Sequence, residues 1–165
     1  MLKIGITGGI GSGKSIVCKI LESMNYPVFY SDRESKRIVK ENLEVRSELI
    51  RLFGKDIYLD DELNSNLLAR IIFNDAEALK QVNEIIHPKV RNSFTDYARK
   101  QNSEYVFNEA AILIESDGYR QMDKLVLISA PVELRIARVM NRDSCTENEV
   151  TRRMSKQWTD DRKRK

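Results

Sequence analysis

What this chain lacks narrows it before any motif is read. No apolar run approaches the eighteen or so residues of a membrane span, and Lys3 and Gly5 interrupt the N-terminal one. Neither an anchor nor a secretion signal is read there, so a soluble cytoplasmic protein with no membrane partner is expected. Only two cysteines are present, Cys18 in an amphipathic stretch and Cys145 in a polar one. They lack metal-ligand spacing and support neither a zinc site nor a disulfide framework, so both read as structural. A dominant charge is also missing: of the formal net charge of +3, the terminal Arg162-Lys163-Arg164-Lys165 run carries four positive charges, leaving the rest at −1. A nucleic-acid partner would need a basic face spread over the fold, so none is expected, and the terminal run reads as a solvated helix end or tail. With no repeat and no low-complexity linker, 165 residues that are 41% hydrophobic suit one compact domain, expected as a monomer.

The most specific stretch is Gly8-Gly9-Ile10-Gly11-Ser12-Gly13-Lys14-Ser15, which fits the phosphate-binding pattern G-x-x-x-x-G-K-[ST]. Glycines accept dihedrals closed to other residues, so consecutive N–H groups can converge on an anion. The following helix adds unpaired N–H groups and its positive dipole end. Lys14 can reach β- and γ-phosphates as a point charge, and the Ser15 hydroxyl can ligate Mg²⁺. Both flanks agree: Leu2, Ile4 and Ile6 read as a buried strand, and Ile16, Val17, Ile20, Leu21 and Met24 recur at helical spacing. The ATP site expected here comprises Gly8, Gly9, Gly11, Ser12, Gly13, Lys14, Ser15 and Ile16.

Val28-Phe29-Tyr30 gives a second strand, and Ser31 and Asp32 at its carboxyl end are placed to share the crevice with the glycine loop. From residue 33 to about 102 the pattern is mainly helical and reads as an insertion. Its stripes are Val45, Leu49, Ile50 and Phe53; Leu67, Leu68, Ile71 and Ile72; and Leu79, Val82 and Ile86. His87-Pro88 is expected to end that third helix, with Val90, Phe94 and Tyr97 in a fourth. Gly54 and Asp60-Asp61-Glu62 read as loops. Tyr105-Val106-Phe107 and Leu125 to Ile128 are further strands, and Pro131 opens a helix running to Asn141-Arg142-Asp143. Thr146-Glu147-Asn148-Glu149 is a capping box that starts another. Strands alternating with helices predict an α/β fold with a parallel sheet.

Asp32 can accept a proton from an attacking hydroxyl or hold a magnesium-bound water; the alternative is a helix cap. His87 is the only histidine, open to a packing or a ligand role. Glu109 and Glu115 end apolar runs at the same sheet edge, where a carboxylate can order Mg²⁺ waters or a substrate hydroxyl; the alternative for each is a loop charge facing solvent. Arg138 and Arg142, with Arg152 and Arg153 beyond, border a segment suited to a flap; the alternative is a solvated basic face, which is the reading for Arg152 and Arg153, and Arg142 is the strongest candidate for phosphate oxygens.

The chain resembles the dephospho-coenzyme A kinases. Ile4 to Ser15 is close to that family's extended loop, and Tyr30-Ser31-Asp32 falls where it usually has Asp-Ala-Asp. Ile86-His87-Pro88 matches its Leu-His-Pro, Ala111-Ile112-Leu113-Ile114-Glu115 resembles its Pro-Leu-Leu-Phe-Glu, and Arg138 with Arg142-Asp143 matches its lid entry. The resemblance implies a three-layer P-loop fold with a helical coenzyme-binding insertion at about 33–102 and a lid at about 138–158. It also implies ATP- and Mg²⁺-dependent phosphorylation of the ribose 3′-hydroxyl of dephospho-coenzyme A. By position, Asp32 is the general base, Lys14 and the loop hold ATP phosphates, Ser15 binds Mg²⁺ and Arg142 closes from the lid; Asp32, His87, Glu109 and Glu115 form the substrate side. Tyr30 stands where the family's first aspartate does, which leaves Asp32 alone for proton abstraction. Family members usually continue into a further strand and helix past the region where this chain stops at Lys165, so an uncovered sheet edge is expected. The alternatives are a P-loop kinase for another nucleoside or small metabolite, and a nucleotide-dependent switch. A GTP switch would carry an Asn-Lys-x-Asp stretch, which the sequence lacks.

Overall fold

The computed structural model describes all 165 residues, Met1 to Lys165. In chain order its elements are β1 (Leu2–Thr7), α1 (Lys14–Ser23), β2 (Val28–Tyr30), α2 (Ser31–Glu41), α3 (Leu43–Phe53), β3 (Tyr58–Leu59) and β4 (Glu62–Leu63). There follow α4 (Ser65–Asn74), α5 (Ala76–Arg99), β5 (Tyr105–Glu109), β6 (Lys124–Leu127), α6 (Val132–Asp143), α7 (Glu147–Met154) and α8 (Asp160–Lys163). They form two compact units, Met1–Ser31 with Asp96–Lys165, and Asp32–Thr95. No helix is long and apolar enough to cross a membrane.

The first unit is built on a four-stranded sheet of order β2-β5-β1-β6, parallel throughout, as alternating strands and helices require. Ile6, Cys18, Val28 and Phe107 are buried together, with Val17, Leu21 and Ile128 against them. The apolar face of α1 thus covers β1, which leads into the glycine loop, together with β2 and β5. Tyr26 stands edge-on to Tyr105 and Phe107, with ring centroids 5.9 and 5.8 Å apart. β6 is an outer strand, with Leu125 and Val126 exposed. α7 opens on the expected capping box: Thr146 Oγ1 accepts from the Glu149 N–H, and Glu149 Oε2 accepts from the Thr146 N–H. The terminal basic run departs from expectation. Lys163 lies in α8 with its side chain fully buried, because a carboxylate and a carbonyl compensate its charge there.

The second unit is helical around its own core, in which Ile38, Val39, Val45, Leu49, Ile57, Tyr58, Leu68, Val82 and Ile86 are buried together. The Tyr58 hydroxyl donates to Val39 O at 2.6 Å, so the ring enters this core with its polar end satisfied. Two expectations are corrected. Asp60-Asp61-Glu62 is not a plain loop: β3 and β4 pair antiparallel around Asp60 and Asp61, whose φ values are 48° and 66°. Aspartate tolerates the left-handed region that a two-residue hairpin turn demands. The other is at His87-Pro88, where α5 continues with Pro88 inside it. An interior proline costs about 3 kcal/mol. Ala78, Val82, Ile86 and Phe94, spaced in multiples of four, are all buried along this helix, and each large apolar side chain contributes about 1.5–3 kcal/mol. Burial outweighs the lost hydrogen bond.

Candidate active site

The glycine loop joins β1 to α1 as the motif requires. Gly13 stands before α1 at φ 107°, a left-handed backbone suited to glycine, and no side chain caps the helix start. The first-turn N–H groups of a helix have no partner within it, so this terminus favours an anion. The Ser12 N–H closes the turn onto Gly9 O at 3.1 Å, while the Ser12 hydroxyl is buried and makes no hydrogen bond. A buried hydroxyl without a partner is costly, and a phosphate oxygen in the loop would satisfy it. The loop fits that ligand class.

Lys14 is nearly buried; its Nζ donates to Gly8 O at 2.8 Å and lies 3.7 Å from Glu109 Oε1. The sheet explains the pairing. Ile6 of β1 and Tyr30 of β2 are both in register with Glu109 of β5, so this residue sits between the strand that feeds the loop and the strand that ends at Tyr30, just before Ser31. Ser31 Oγ donates to Asn108 Oδ1 at 2.7 Å, which fixes the end of β2. Glu109, Asn108, Ser31 and the loop therefore gather at the carboxyl ends of parallel strands, where open α/β sheets bind ligands.

Asp32 and His87 belong to the second unit. Asp32 is its first residue, directly after Ser31, and lies inside the first turn of α2 rather than before it. Its carboxylate complements the positive end of that helix. His87 is half-buried in α5; desolvation first, and the Arg91 charge second, hold its pKa below 6.5, so the ring is neutral at pH 7.

The arginines of the expected lid differ in their surroundings. The exposed Arg142 makes two hydrogen bonds to Asp143, at 2.7 and 3.1 Å, and Arg153 meets the same carboxylate at 2.7 Å. Arg142 above all holds the Asp143 carboxyl below its usual range. Arg138 reaches the glycine loop itself, donating to Gly11 O at 3.3 Å. Glu115, expected on the substrate side, has other partners: its Oε1 accepts from the Trp158 N–H at 3.0 Å and pairs with Lys163 Nζ at 2.9 Å. Those contacts place it in support of the terminal segment.

Two residues against the loop escaped the sequence reading. Arg135 Nε donates to Ile10 O, and Gln157 Oε1 accepts from the Ile10 N–H, both at 2.9 Å. The signal for Arg135 was there, since Arg135, Arg138 and Arg142 share one face of α6 by helical spacing. Gln157 lies past the end of α7 and had none.

Comparison with known proteins supplies what geometry leaves open. Residues 2–165 match the model of the family described as dephospho-CoA kinase. A dephospho-CoA kinase of Bacteroides fragilis is 41% identical over 163 residues, covering 98% of this chain and 80% of the relative. A crystal structure of a Thermus thermophilus protein superposes with a TM-score of 0.89 at 35% identity, over 99% of this chain and 83% of that one. The dephospho-CoA kinase from Campylobacter jejuni gives 0.65 at 26% identity, over 93% and 78%.

Proposed function

The chain belongs to the dephospho-CoA kinase family, and from that premise we propose how its residues divide the work of the reaction. The enzyme is a kinase: it transfers the γ-phosphoryl group of ATP to the ribose 3′-hydroxyl of dephospho-CoA, giving coenzyme A and ADP, the last step of coenzyme A synthesis. The observation that carries the division of roles is the loop, with the buried, unsatisfied Ser12 hydroxyl beside Lys14 and Glu109 at the ends of three parallel strands.

Gly8, Gly9, Gly11, Ser12, Gly13, Lys14, Ser15 and Ile16 bind the triphosphate, with loop N–H groups and the dipole of α1 supplying the positive field. Lys14 exchanges its bond to Gly8 O for phosphate oxygens, and Glu109 keeps the ammonium aimed at them. The Ser15 hydroxyl, exposed in the first turn of α1, suits the oxygen chemistry of Mg²⁺, which when bound neutralises charge between the β- and γ-phosphates. Arg142 gives up Asp143 to meet the equatorial oxygens as they gain charge. Asp32 takes the proton of the 3′-hydroxyl as that oxygen bonds to the γ-phosphorus; the bond from γ-phosphorus to the bridging oxygen breaks, and ADP carries away its electron pair. The helical segment 33–102 supplies coenzyme contacts, His87 among them as a neutral imidazole, while Glu115 acts through the terminal segment. Residues 138–158 form the lid.

ADP formation measured with dephospho-CoA, adenosine, AMP or no acceptor tests the substrate; stimulation by adenosine alone overturns it. Asp32→Asn is expected to retain ATP affinity and lose turnover by about a hundredfold or more. Unchanged turnover would return Asp32 to a purely helix-stabilising role.

A further inference from the structure

The apex of the phosphate loop is held from outside the loop. Ile10 makes no backbone hydrogen bond that closes the turn; its N–H goes to Gln157 Oε1 and its carbonyl to Arg135 Nε, each at 2.9 Å. One peptide donor and one acceptor at the apex are therefore set by side chains more than a hundred residues away in the chain. Arg135 is only 6% exposed. Its Nη1 lies 3.6 Å from Asp160 Oδ1, close enough for an ion pair and too far for a hydrogen bond, and that buried oxygen accepts no hydrogen bond from any other group.

The approach of Arg135 explains two loop glycines on grounds the motif does not supply. A Cβ on Gly9 would stand 1.9 Å from Arg135 Nη2, and one on Gly11 would stand 2.5 Å from the Arg135 carbonyl oxygen. Gly9 has no positive φ, so a side chain there would meet no dihedral strain but would have to displace the Arg135 guanidinium from its seat beside Ile10. The partners of Arg135 and Ile10 share one stretch. Gln157, Asp160 and Lys163 recur every three residues, and they reach the Ile10 N–H, Arg135 and the Ala111 carbonyl respectively. The stretch that leaves α7 is thus pinned at three points, of which the first is on the loop itself and the second on the arginine that reaches it.

We propose that Arg135, oriented by Asp160, and Gln157 are positioning residues for ATP: they fix both peptide units flanking Ile10, so the loop's N–H groups converge on the phosphates without ordering at the moment of binding. A glycine-rich loop loses more conformational freedom on ordering than any other sequence, so holding its apex beforehand strengthens nucleotide binding. The same contacts make the segment after α7 sensitive to whether the loop is filled. The inference rests on reading Gly8 to Ser15 as the ATP site.

The test measures MgATP binding by calorimetry with no acceptor present, alongside KM for each substrate, kcat and melting temperature. Trp158, the only tryptophan, follows Gln157 and has Arg162 over its ring at 3.6 Å, so its fluorescence reports this segment. Gln157→Leu removes the acceptor. Arg135→Met with Asp160→Leu removes the clasp and the buried pair together, so no charge is left unpaired. Each is expected to weaken MgATP binding about tenfold, leave KM for dephospho-CoA unchanged and shrink the ATP-induced change in Trp158 fluorescence. Arg135→Lys, which keeps a donor and the charge, restores most of the affinity. Folded variants that bind MgATP within about twofold of wild type overturn the proposal, as does a loss of both KM values in parallel with melting temperature. Should the double variant fail to fold, Gln157→Leu alone decides. Wild-type protein that binds MgATP but forms no ADP with dephospho-CoA refutes the kinase reading instead, and leaves the clasp standing.

Discussion

Cys18 and His87 show how burial sets chemistry one side chain at a time. Cys18 is fully buried between α1 and the sheet, and desolvation, helped by the Glu109 and Glu22 charges, pushes its thiol up to about 11. The thiolate is the nucleophile, so Cys18 is inert at neutral pH. Titration with Ellman's reagent is expected to count one reactive thiol in the native protein, the half-buried Cys145, and two in denaturant. His87 runs by the same desolvation in the opposite direction, as a base whose charged form is disfavoured. Because its folded pKa lies below 6.5, the unfolded chain binds the proton first as pH falls. The stability it contributes is full above pH 6.5 and is lost as pH drops from there through the lowered folded value. Thermal melts at pH 7.5 and 5.5 should therefore show a larger fall in wild type than in His87→Asn.

At the scale of elements, α5 is the clearest case of packing overriding local preference. The sequence rule that a residue before proline leaves the helical region is sound, and His87-Pro88 still sits inside a 24-residue helix. A buried stripe from Ala78 to Phe94 holds the helix on both sides of the missing hydrogen bond. Pro88→Ala should restore that bond and raise the melting temperature by a few degrees. A fall in melting temperature would show that the surroundings are shaped to the proline ring. The hairpin at Asp60 and Asp61 teaches the converse, since its turn is local chemistry that a reading of the run as loop passed over.

Across the first unit as a whole, the terminal residues are tied in by charge. Lys163 Nζ pairs with Glu115 Oε1 at 2.9 Å and donates to Ala111 O at 2.6 Å, with its side chain fully buried. Removing one member of such a pair leaves the other desolvated, a penalty of roughly 3 kcal/mol or more. Lys163→Met alone should lower the melting temperature by about 10 °C, and adding Glu115→Gln should recover most of it, as read by calorimetry. If the single variant melts with wild type, the pair does not hold the segment in place.

How much of this was written in the sequence follows the range of the forces involved. The glycine loop, the amphipathic α1, the capping box at Thr146 and Glu149 and the strands around them arise from backbone dihedrals, periodicity and side-chain reach over a few residues, and so the sequence determined them unaided. The motifs from Ile4 to Arg142 also carried enough of the family pattern to suggest the reaction. What lay beyond reach was every pairing that closes over long separations: Arg135 and Gln157 on Ile10, Asp160 on Arg135, Lys163 on Glu115. A basic run at the end of a chain looks solvated until a buried carboxylate is known to face it, and an arginine on a helix looks like surface until a glycine loop is found under it. Only the tertiary structure brings such partners together, because the free energy of a buried charge depends on which group faces it.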